Sequence, residues 1–495
     1  MRLSPDTDLT PRALAEGQRS LVLDSAFASL SGALSGGVIL VAFALALGAG
    51  PVHVGLLAAI PFIAQAVQLP AIAFIERVRQ RRKIGVLTIT AARVLILATA
   101  LIPFVGTAPT QLRLLIAAQL AIAMLVSFGS CAVNSWFHQL VPGAELGGFF
   151  AKRLFWGTAF ACAGTLAAGM LVDLPRFAHR LQPFAIAFAG AALAGFASSW
   201  YLARAPEPMM SGAGAGAGSI LTRLRAPLRD PNFRNLMVFL GAWNVASNLA
   251  APFITVYLIN QLDLPLSTVT SLWVTSQVAN ALTLYLWGRL SDRLSNKAVL
   301  AVALPVYFAC TVGLVFADQR DHATLSLLML YAIHIVMGAV TGGIALATGN
   351  IGLKLAPQGE GTSYLAAIGL VSAVAGGIAP IVAGSVAEWF RSRELLLILR
   401  WVSPVHVAEV AVFDFAHWEF LFAISAVLSL YVMHALSRVR EGDEISERQV
   451  VQQFGLEAMR SVNQLSSVGG VFSAVFPFGR LLLERRRYAR ARRRG

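Results

Sequence analysis

The segment Gly288-Arg-Leu-Ser-Asp-Arg-Leu-Ser-Asn-Lys-Ala-Val-Leu300 is a short polar stretch that lies between two long apolar runs. The runs cover residues 269–287 and 298–317. Each of them approaches the ~20 mostly apolar residues that a membrane helix needs. A polar turn in this position therefore joins two membrane-spanning helices, and the segment indicates a chain that crosses a lipid bilayer.

The same alternation of apolar runs and polar connections continues along the chain in both directions. Of its 495 residues, 57% are hydrophobic and 13% are charged, whereas a soluble domain carries about 25% charged residues. We therefore predict an all-α membrane protein with twelve transmembrane helices. The predicted spans are residues 21–48, 54–75, 84–104, 114–134, 154–174, 184–202, 236–258, 269–287, 298–317, 325–346, 364–386 and 420–436.

A polar break separates the sixth predicted span from the seventh. It contains a Gly/Ala/Ser run at 211–219, which is typical of a flexible linker, and a basic amphipathic segment at 220–230. The predicted organisation is a cytoplasmic N-terminus at 1–20, an N-terminal six-helix bundle at 21–202 and a cytoplasmic linker at 203–235. A C-terminal six-helix bundle at 236–439 and a basic cytoplasmic tail at 440–495 follow.

Lysine and arginine are distributed unevenly between the connections. With the N-terminus inside, the cytoplasmic connections hold 19 of them and the outer connections hold 7. Because basic residues favour the cytoplasmic side, both termini are predicted to be cytoplasmic, in a bacterial inner membrane. This bias explains the formal net charge of +14 without a nucleic-acid partner. The arginines at 485–494 are expected to bind anionic lipid of the inner leaflet.

The two halves of the chain match each other at a shift of about 216 residues. At this shift Glu76-Arg77 falls on Asp292-Arg293, and Asn134 falls on a second asparagine. A shift that stays constant across four helices indicates two pseudo-symmetric six-helix halves. In transporters of this architecture the substrate site lies between the halves.

The segment that begins at Gly288 resembles the signature loop of the major facilitator superfamily. That signature has a glycine, three further residues, an aspartate, an arginine or lysine, one residue, a second glycine and a basic pair. Gly288, Asp292, Arg293 and Lys297 match it, whereas Ser295 replaces the second glycine. The resemblance covers about residues 20–440, and it implies a twelve-helix transporter fold that works by alternating access.

The first-half copy of the signature is more diverged. Glu76 and Arg77 stand at the aspartate and arginine positions, and Ile72 and Arg79 replace the two glycines. The resemblance implies that such a loop is a latch, which holds the cytoplasmic gate shut while the outer gate is open. This role is favoured for the Asp292 copy, because the packing glycine is lost in the first half. Charges that only fix the topology are the alternative.

Polar side chains of the predicted spans fall on shared helical faces, and such side chains usually face a cavity or a partner helix. The resemblance implies that spans 1, 4, 7 and 10 line the transport cavity and that spans 2, 5, 8 and 11 flank it. Amides beside tryptophan favour a neutral or amphipathic organic solute, and interhelical hydrogen bonding is the alternative role. The candidates for the substrate cavity are Asn134, Trp243, Asn244, Asn248, Trp273, Gln277, Asn280 and His334.

Few ionisable residues lie inside the spans. Asp24 in span 1 and Arg93 in span 3 are candidates for ion coupling or for a structural pair, and an arginine bonded to backbone carbonyls is a further alternative. Histidine is the side chain that titrates near neutral pH. His334 is therefore a candidate proton carrier, with a packed histidine as the alternative.

The function that the sequence predicts is secondary transport of a small organic solute, with ion coupling left open. A transporter-like sensor or assembly factor without transport activity is the alternative. No zinc-peptidase or nucleophile-elbow motif is present, and the three cysteines have no metal-ligand spacing. We therefore expect no enzyme, no cofactor and no metal, and we expect a monomer whose partners are a small-molecule solute and lipids.

Overall fold

A computed structural model of the chain describes residues 5, 10–141, 146–175, 177, 179–210, 227–293, 295–317, 323–357, 361–403 and 407–442. The predicted basic tail beyond residue 442 and most of the predicted flexible linker lie outside the described residues. Fourteen α-helices are present in the described part. They are α1 (Pro11–Ser35), α2 (Gly37–Ala46), α3 (Pro51–Ala64), α4 (Gln68–Val78), α5 (Arg81–Thr99), α6 (Ala108–Leu140), α7 (Leu146–Val172), α8 (Gln182–Arg204), α9 (Pro231–Asn260), α10 (Leu266–Arg293), α11 (Asn296–Val315), α12 (Ala323–Leu355), α13 (Gly361–Phe390) and α14 (Glu419–Ser437).

The predicted all-α membrane fold is confirmed. Each of the twelve predicted spans is helical over most of its length. In the described residues, 10 helical segments are long and apolar enough to cross a membrane. An eleventh consists of α3 and α4, which meet at a bend of 43°. The remaining predicted span lies in α10, a 28-residue helix that carries more polar side chains than the others.

The first predicted span is divided into two helices. Helix α1 ends at Ser35, Gly36 is extended, and α2 begins at Gly37 with a φ of +50°. Glycine adopts this left-handed conformation at little cost because it has no Cβ. A Gly-Gly pair therefore breaks the span within the membrane, where the flanking helices supply the hydrogen bonds that a break needs.

A β-hairpin lies between α13 and α14, where the sequence analysis expected only an outer connection. Strand β1 (Glu394–Val402) pairs with β2 (Val407–Ala416) in antiparallel register, from Glu394 opposite Ala416 to Val402 opposite Val407. The register shifts between Leu397 and Ile398, which indicates a β-bulge. Residues 407–415 are rich in valine and phenylalanine, which are enriched in strands.

The described residues cluster into two compact units. The first draws on residues 1–225, 240–274 and 367–428, and the second on residues 226–239, 275–366 and 429–495. In the first unit, Trp136 and Phe137 of α6 form a buried cluster with Leu21 of α1 and Leu202 of α8. The predicted domain boundaries at 202, 235 and 439 remain predictions.

The second unit holds α10 and α12 together by hydrogen bonds to one carbonyl. Trp287 donates its indole N–H to the carbonyl oxygen of Ala339 at 2.6 Å, and Thr283 donates its hydroxyl to the same oxygen at 2.9 Å. In an apolar medium a backbone carbonyl that accepts two such bonds is stabilised against exposure to lipid. The polar residues of α10 thus serve partly as contacts between helices.

Candidate functional site

Two predicted cavity asparagines lie on α9 and bond mainly to their own helix. Asn244 donates its amide N–H groups to the carbonyl of Leu240 at 2.8 Å and to the hydroxyl of Ser372 at 3.3 Å. Asn248 donates to the carbonyl of Asn244 at 2.9 Å. Trp243, next to Asn244, is half-buried. The amide donors are occupied, while both side-chain oxygens have no partner among the described residues.

The polar side chains on one face of α10 form fewer hydrogen bonds within the protein than the asparagines of α9. Trp273 and Gln277 are half-buried, one turn apart, and neither the indole N–H nor the side-chain amide has a hydrogen-bond partner in the described part of the chain. Asn280 packs closely against α12, since a methyl group on Gly342 would overlap its side-chain oxygen. Trp273 and Gln277 are therefore available to a ligand, whereas Asn280 fills a contact between two helices.

The remaining cavity candidates have separate surroundings. His334 on α12 is buried, and its Nδ1 lies 2.8 Å from the carbonyl oxygen of Leu330, one turn earlier in the same helix. This is the arrangement of a packed histidine. Asn134 lies near the end of α6 and is exposed. The structure places Gln277, Asn280 and His334 in the second unit and the other cavity candidates in the first.

Asp24 of α1 is buried in a polar network of the first unit. It accepts a hydrogen bond from the hydroxyl of Ser198 on α8 at 2.7 Å, and a guanidinium nitrogen of Arg153 on α7 lies 3.8 Å from its other oxygen. The guanidinium of Arg153 also lies over the ring of Phe137, at 4.4 Å from its centroid. A buried carboxylate with a hydrogen bond and an ion pair is satisfied locally.

Arg93 belongs to the same buried network. It donates to the hydroxyl of Ser31 on α1, two turns from Asp24 in the same helix, at 3.2 Å. The alternative that Arg93 bonds backbone carbonyls is therefore not what the structure shows. Its stem crosses α8 at Gly195, where a Cβ would overlap the arginine side chain. Helices α1, α5 and α8 thus meet around the Arg93 side chain.

The structure explains why one position of the signature loop, occupied by Arg79 in the first copy, favours glycine. Arg79, which replaces the second glycine in the first copy, caps α4 in the left-handed conformation with a φ of 55°. Glycine is the usual residue at such a cap because it has no steric cost there. Glu76 and Arg77 are exposed. In the second copy, the side chains of Asp292 and Arg293 lie outside the described part of the structure.

Gly288, the first glycine of the second copy, has room around it. Among the described residues, the nearest atom to a Cβ placed there is Leu346 Cδ1, at 3.9 Å, which is an ordinary contact distance. The close helix approach that a glycine permits is therefore not used at Gly288 in this structure.

A carboxylate that was not among the predicted site residues closes one end of the first half, the end that is predicted to be cytoplasmic. Glu207, three residues after α8, accepts hydrogen bonds from the backbone N–H groups of Arg81 at 2.7 Å and Arg82 at 3.0 Å. The Arg81 guanidinium pairs with Glu207 at 3.3 Å and donates to the carbonyl of Ser135 on α6. We call this arrangement the Glu207 clasp.

The second half contains the same arrangement. Glu441, after α14, accepts hydrogen bonds from the backbone N–H groups of Asn296 at 3.1 Å and Lys297 at 2.5 Å. It also pairs with Lys354 of α12 at 3.2 Å, and its side chain is 2% exposed. In this Glu441 clasp, as in the first, a carboxylate caps the N-terminus of the half's third span, where the helix dipole favours negative charge.

The two clasps give the shift between the two halves of the internal repeat at two places in the chain. Arg81 and Asn296 are 215 positions apart, whereas Glu207 and Glu441 are 234 apart, so the register changes by 19 residues between them. The connection between α7 and α8 runs from 173 to 181, and the connection between α13 and α14 runs from 391 to 418. These are nine and 28 residues, which is again a difference of 19. The hairpin is therefore an insertion into an otherwise matching repeat.

At the predicted outer ends, helices of the two sequence halves lie in direct contact within the first unit. Asp173, which follows α7, accepts hydrogen bonds from the backbone N–H groups of Leu266 at 3.1 Å and Ser267 at 2.6 Å, at the start of α10. One turn further into the same pair of helices, a methyl group on Gly169 would overlap the side chain of Thr270. At Gly169 and Thr270 no space for a solute remains between the two helices.

A second contact of this kind joins α3 and α13. A methyl group on Gly55 would overlap the carbonyl oxygen of Pro380, and a methyl group on Gly384 would lie 2.6 Å from the carbonyl oxygen of Pro51. The two backbones therefore touch, which small residues permit between membrane helices. We call these α7–α10 and α3–α13 contacts together the outer contact set.

Sequence comparison identifies one family. The family model of the Major Facilitator Superfamily matches residues 23–380, which is most of the chain. No curated protein matches the chain in sequence.

Solved structures show the same fold at low sequence identity. The nucleoside transporter NupG superimposes with a TM-score of 0.64 at 12% identity, over 86% of this chain and 99% of its own. A bacterial homologue of the iron transporter ferroportin, in an inward-facing state, gives 0.61 at 13% identity, over 87% and 99%. A bacterial homologue of the human lysosomal transporter Spinster, inward-facing and unoccupied, gives 0.57 at 12%, over 91% and 98%.

Proposed function

This chain belongs to the Major Facilitator Superfamily and is a multi-pass membrane transporter, and on that premise we propose that it moves a small organic solute by alternating access. The observation that carries the mechanism is the outer contact set, which joins helices from both halves of the internal repeat. In alternating access, such a closed contact belongs to one state and must open in the other.

The side of closure follows from the proposed orientation. With both termini in the cytoplasm of a bacterial cell, Asp173 and Gly384 lie at the outer surface of the inner membrane, and the clasps lie at the cytoplasmic surface. The outer contact set then acts as the outer gate in its closed state. Two of the similar structures are described as inward-facing, which supports this assignment.

The solute is proposed to bind at the polar positions of α9 and α10. In the first unit, the unpartnered indole of Trp273 offers a hydrogen-bond donor and an aromatic face, and the free side-chain oxygens of Asn244 and Asn248 offer acceptors. In the second unit, the side-chain amide of Gln277 is unpartnered. Because these half-buried groups have no partner among the described residues, a ligand can bond them without breaking a hydrogen bond of the protein. This chemistry suits a neutral or amphipathic organic molecule, which fits the predicted solute class.

Asp24 and Arg93 are proposed to be structural. Asp24 is held by Ser198 and Arg153, and Arg93 donates to Ser31, so the charges are engaged with α1, α7 and α8 of one half. A group that carries a coupling proton has to be released in one state. His334 is likewise bonded within its own helix. We therefore assign ion coupling to none of these three residues.

Solute counterflow in proteoliposomes tests the proposed function. The purified chain is reconstituted, loaded in turn with unlabelled neutral and amphipathic solutes beginning with nucleosides, and exposed to the labelled solute outside. We expect transient accumulation of at least one solute, reduced by Gln277→Leu but unaffected by Gln68→Leu, since Gln68 is an exposed amide on α4. Absence of exchange for every solute would instead favour a transporter-like sensor.

A further inference from the structure

The β-hairpin is an addition that the repeated architecture does not need. Both halves close their cytoplasmic ends by the same clasp, and the 19-residue change of register falls in the connection that contains β1 and β2. The first half connects the corresponding helices with nine residues. The hairpin therefore has a role of its own, separate from the closure of the bundle.

The register of the hairpin separates an apolar face from a mixed one. Alternate residues of a strand occupy the same face. One face carries Glu394, Leu396, Ile398 and Arg400, and the register places Asp414 opposite Leu396 and Glu409 opposite Arg400. The alternate register positions are 395, 397, 399 and 401, paired with 415, 413, 410 and 408. In the sequence these positions hold only apolar residue types, Leu, Leu, Leu and Trp opposite Phe, Phe, Val and Ala.

The apolar residues that the structure describes in β1 are not covered by the chain. The exposed fraction is 58% for Leu395, and β1 pairs with β2 alone among the described strands. An isolated two-stranded hairpin is marginally stable in water at best. A hairpin with one apolar face is stabilised when that face is removed from water.

The base of the hairpin is fixed at the end of two membrane helices. Phe390 at the end of α13 stacks on Phe420 at the start of α14, with ring centroids 4.0 Å apart. Arg393 lies over the ring of Trp389 at 3.8 Å, and Trp389 is 57% exposed. Tryptophan and arginine at the end of a membrane helix are typical of the level of the lipid headgroups. The strands therefore start at the surface of the bilayer.

We propose that the hairpin lies on the outer leaflet of the membrane, with the Leu395 face toward lipid and the Arg400 face toward water. The bilayer is the proposed occupant of the apolar face because the hairpin starts at the end of α13, a helix that already exposes Val374, Ile378 and Val382 along its length. Arg391 and Arg393 then lie at the level of the phosphate groups, to which cationic side chains are attracted.

Leu395 and Leu396 form a matched pair for the test. They are adjacent, identical in type and exposed, at 58% and 48%, and they occupy opposite faces of β1. Each is changed to cysteine in a full-length chain that has Cys131, Cys162 and Cys310 replaced by alanine. An NBD fluorophore is attached, and the protein is reconstituted in phosphatidylcholine/phosphatidylglycerol nanodiscs. Quenching by nitroxide-labelled lipid is compared with quenching by aqueous iodide.

The label at 395 is expected to lose most of its emission to nitroxide lipid and little to iodide, and the label at 396 is expected to show the reverse. For positions 395 and 396 the nitroxide is on the lipid acyl chains. A label at Val402→Cys, which shares the Leu396 face and lies about 25 Å along the strand from its start, is instead expected to be quenched by nitroxide on the lipid headgroup. Equal access of iodide to positions 395 and 396, or no headgroup quenching at 402, would overturn the proposal. The label at 395 could also be protected from iodide only in nanodiscs that hold two protein copies and not in nanodiscs that hold one. That result would also overturn the proposal, because a second copy of the chain would then cover the face.

Discussion

Glu207 accepts a hydrogen bond from the backbone N–H of Arg81 and pairs with the guanidinium of the same residue, with side chains that are 0% and 1% exposed. One carboxylate thus satisfies both the free end of α5 and a buried cation. Breaking a buried ion pair from one side is costly because the remaining charge has no partner. The Glu207 clasp is therefore a principal contact of the first half.

The first prediction concerns this clasp. Glu207→Gln is expected to lower the free energy of unfolding by about 3–5 kcal/mol, since the Arg81 charge remains buried without its partner. The measurement is thermal unfolding of the detergent-solubilised protein. Glu16→Gln is the control, because the Arg12–Glu16 pair is exposed and its loss costs under ~1 kcal/mol. Equal shifts for both variants would show that the clasp does not stabilise the fold.

The break between α1 and α2 predicts that replacing glycine by alanine has opposite effects on stability at Gly37 and at Gly32. Gly37→Ala forces a Cβ into the left-handed conformation and is expected to destabilise by about 1–2 kcal/mol. Gly32→Ala, inside α1 and with open space around it, is expected to stabilise by about 0.5–1 kcal/mol. Melting temperatures of the two variants should move in opposite directions. A rise for Gly37→Ala would mean that the span is continuous.

The left-handed cap at Arg79 predicts that restoring the glycine of the family signature is favourable. Arg79→Gly is expected to raise the melting temperature or leave it unchanged, since glycine removes the strain of a φ of 55°. Arg77→Gly, inside the last turn of α4, is expected to lower stability by about 1 kcal/mol. If Arg79→Gly lowers the melting temperature more than Arg77→Gly does, the cap is not strained.

The outer contact set predicts that Asp173 biases the state of the transporter. Asp173→Asn weakens two hydrogen bonds to a charged group, each worth about 1.5–3 kcal/mol. A shift of 1.4 kcal/mol changes a population about tenfold. A membrane-impermeant maleimide should therefore label Thr270→Cys at least ~10-fold faster when Asp173→Asn is present. Asp263→Asn removes an exposed charge from the next connection and should leave the rate unchanged. Equal rates in all three proteins would exclude Asp173 from the gate.

The spans were predictable from the sequence because lipid imposes long apolar runs, and all twelve predicted runs fall in helices. The Glu207 and Glu441 clasps could not be predicted from the sequence, because each joins residues more than a hundred positions apart. In addition, a glutamate that follows a helix looks in the sequence like an ordinary surface charge. The sequence feature that could have identified the clasps is a glutamate shortly after the last span of each half. The two glutamates align in the internal repeat once the 19-residue insertion is removed. The hairpin was missed since its strands are as apolar as a short span.

The polar stripes were predicted as a group, yet the sequence could not rank their members. Trp273, Gln277 and Asn280 share one face of α10, and only the contact with Gly342 identifies Asn280 as a packing residue. His334 likewise needed its bond to Leu330 to be recognised as packed. Spacing along a helix defines a face, whereas the neighbouring helix decides which side chains on it remain free.

Solute exchange with a cross-linked outer gate tests alternating access most directly. A methyl group on Gly169 would lie 3.0 Å from Thr270 Cβ, which is shorter than the Cβ–Cβ distance of about 3.5–4.5 Å in disulfides. A small separation of the two helices therefore brings a cysteine pair at these positions into bonding range. The Gly169→Cys/Thr270→Cys pair is introduced into a chain without other cysteines, with Thr270→Cys alone as the control. Counterflow is then measured in proteoliposomes before and after oxidation. We predict that oxidation abolishes exchange in the pair, that reduction restores it, and that the control is unaffected. Exchange that continues with the gate cross-linked, or that is absent in the reduced protein and the control alike, would contradict the account.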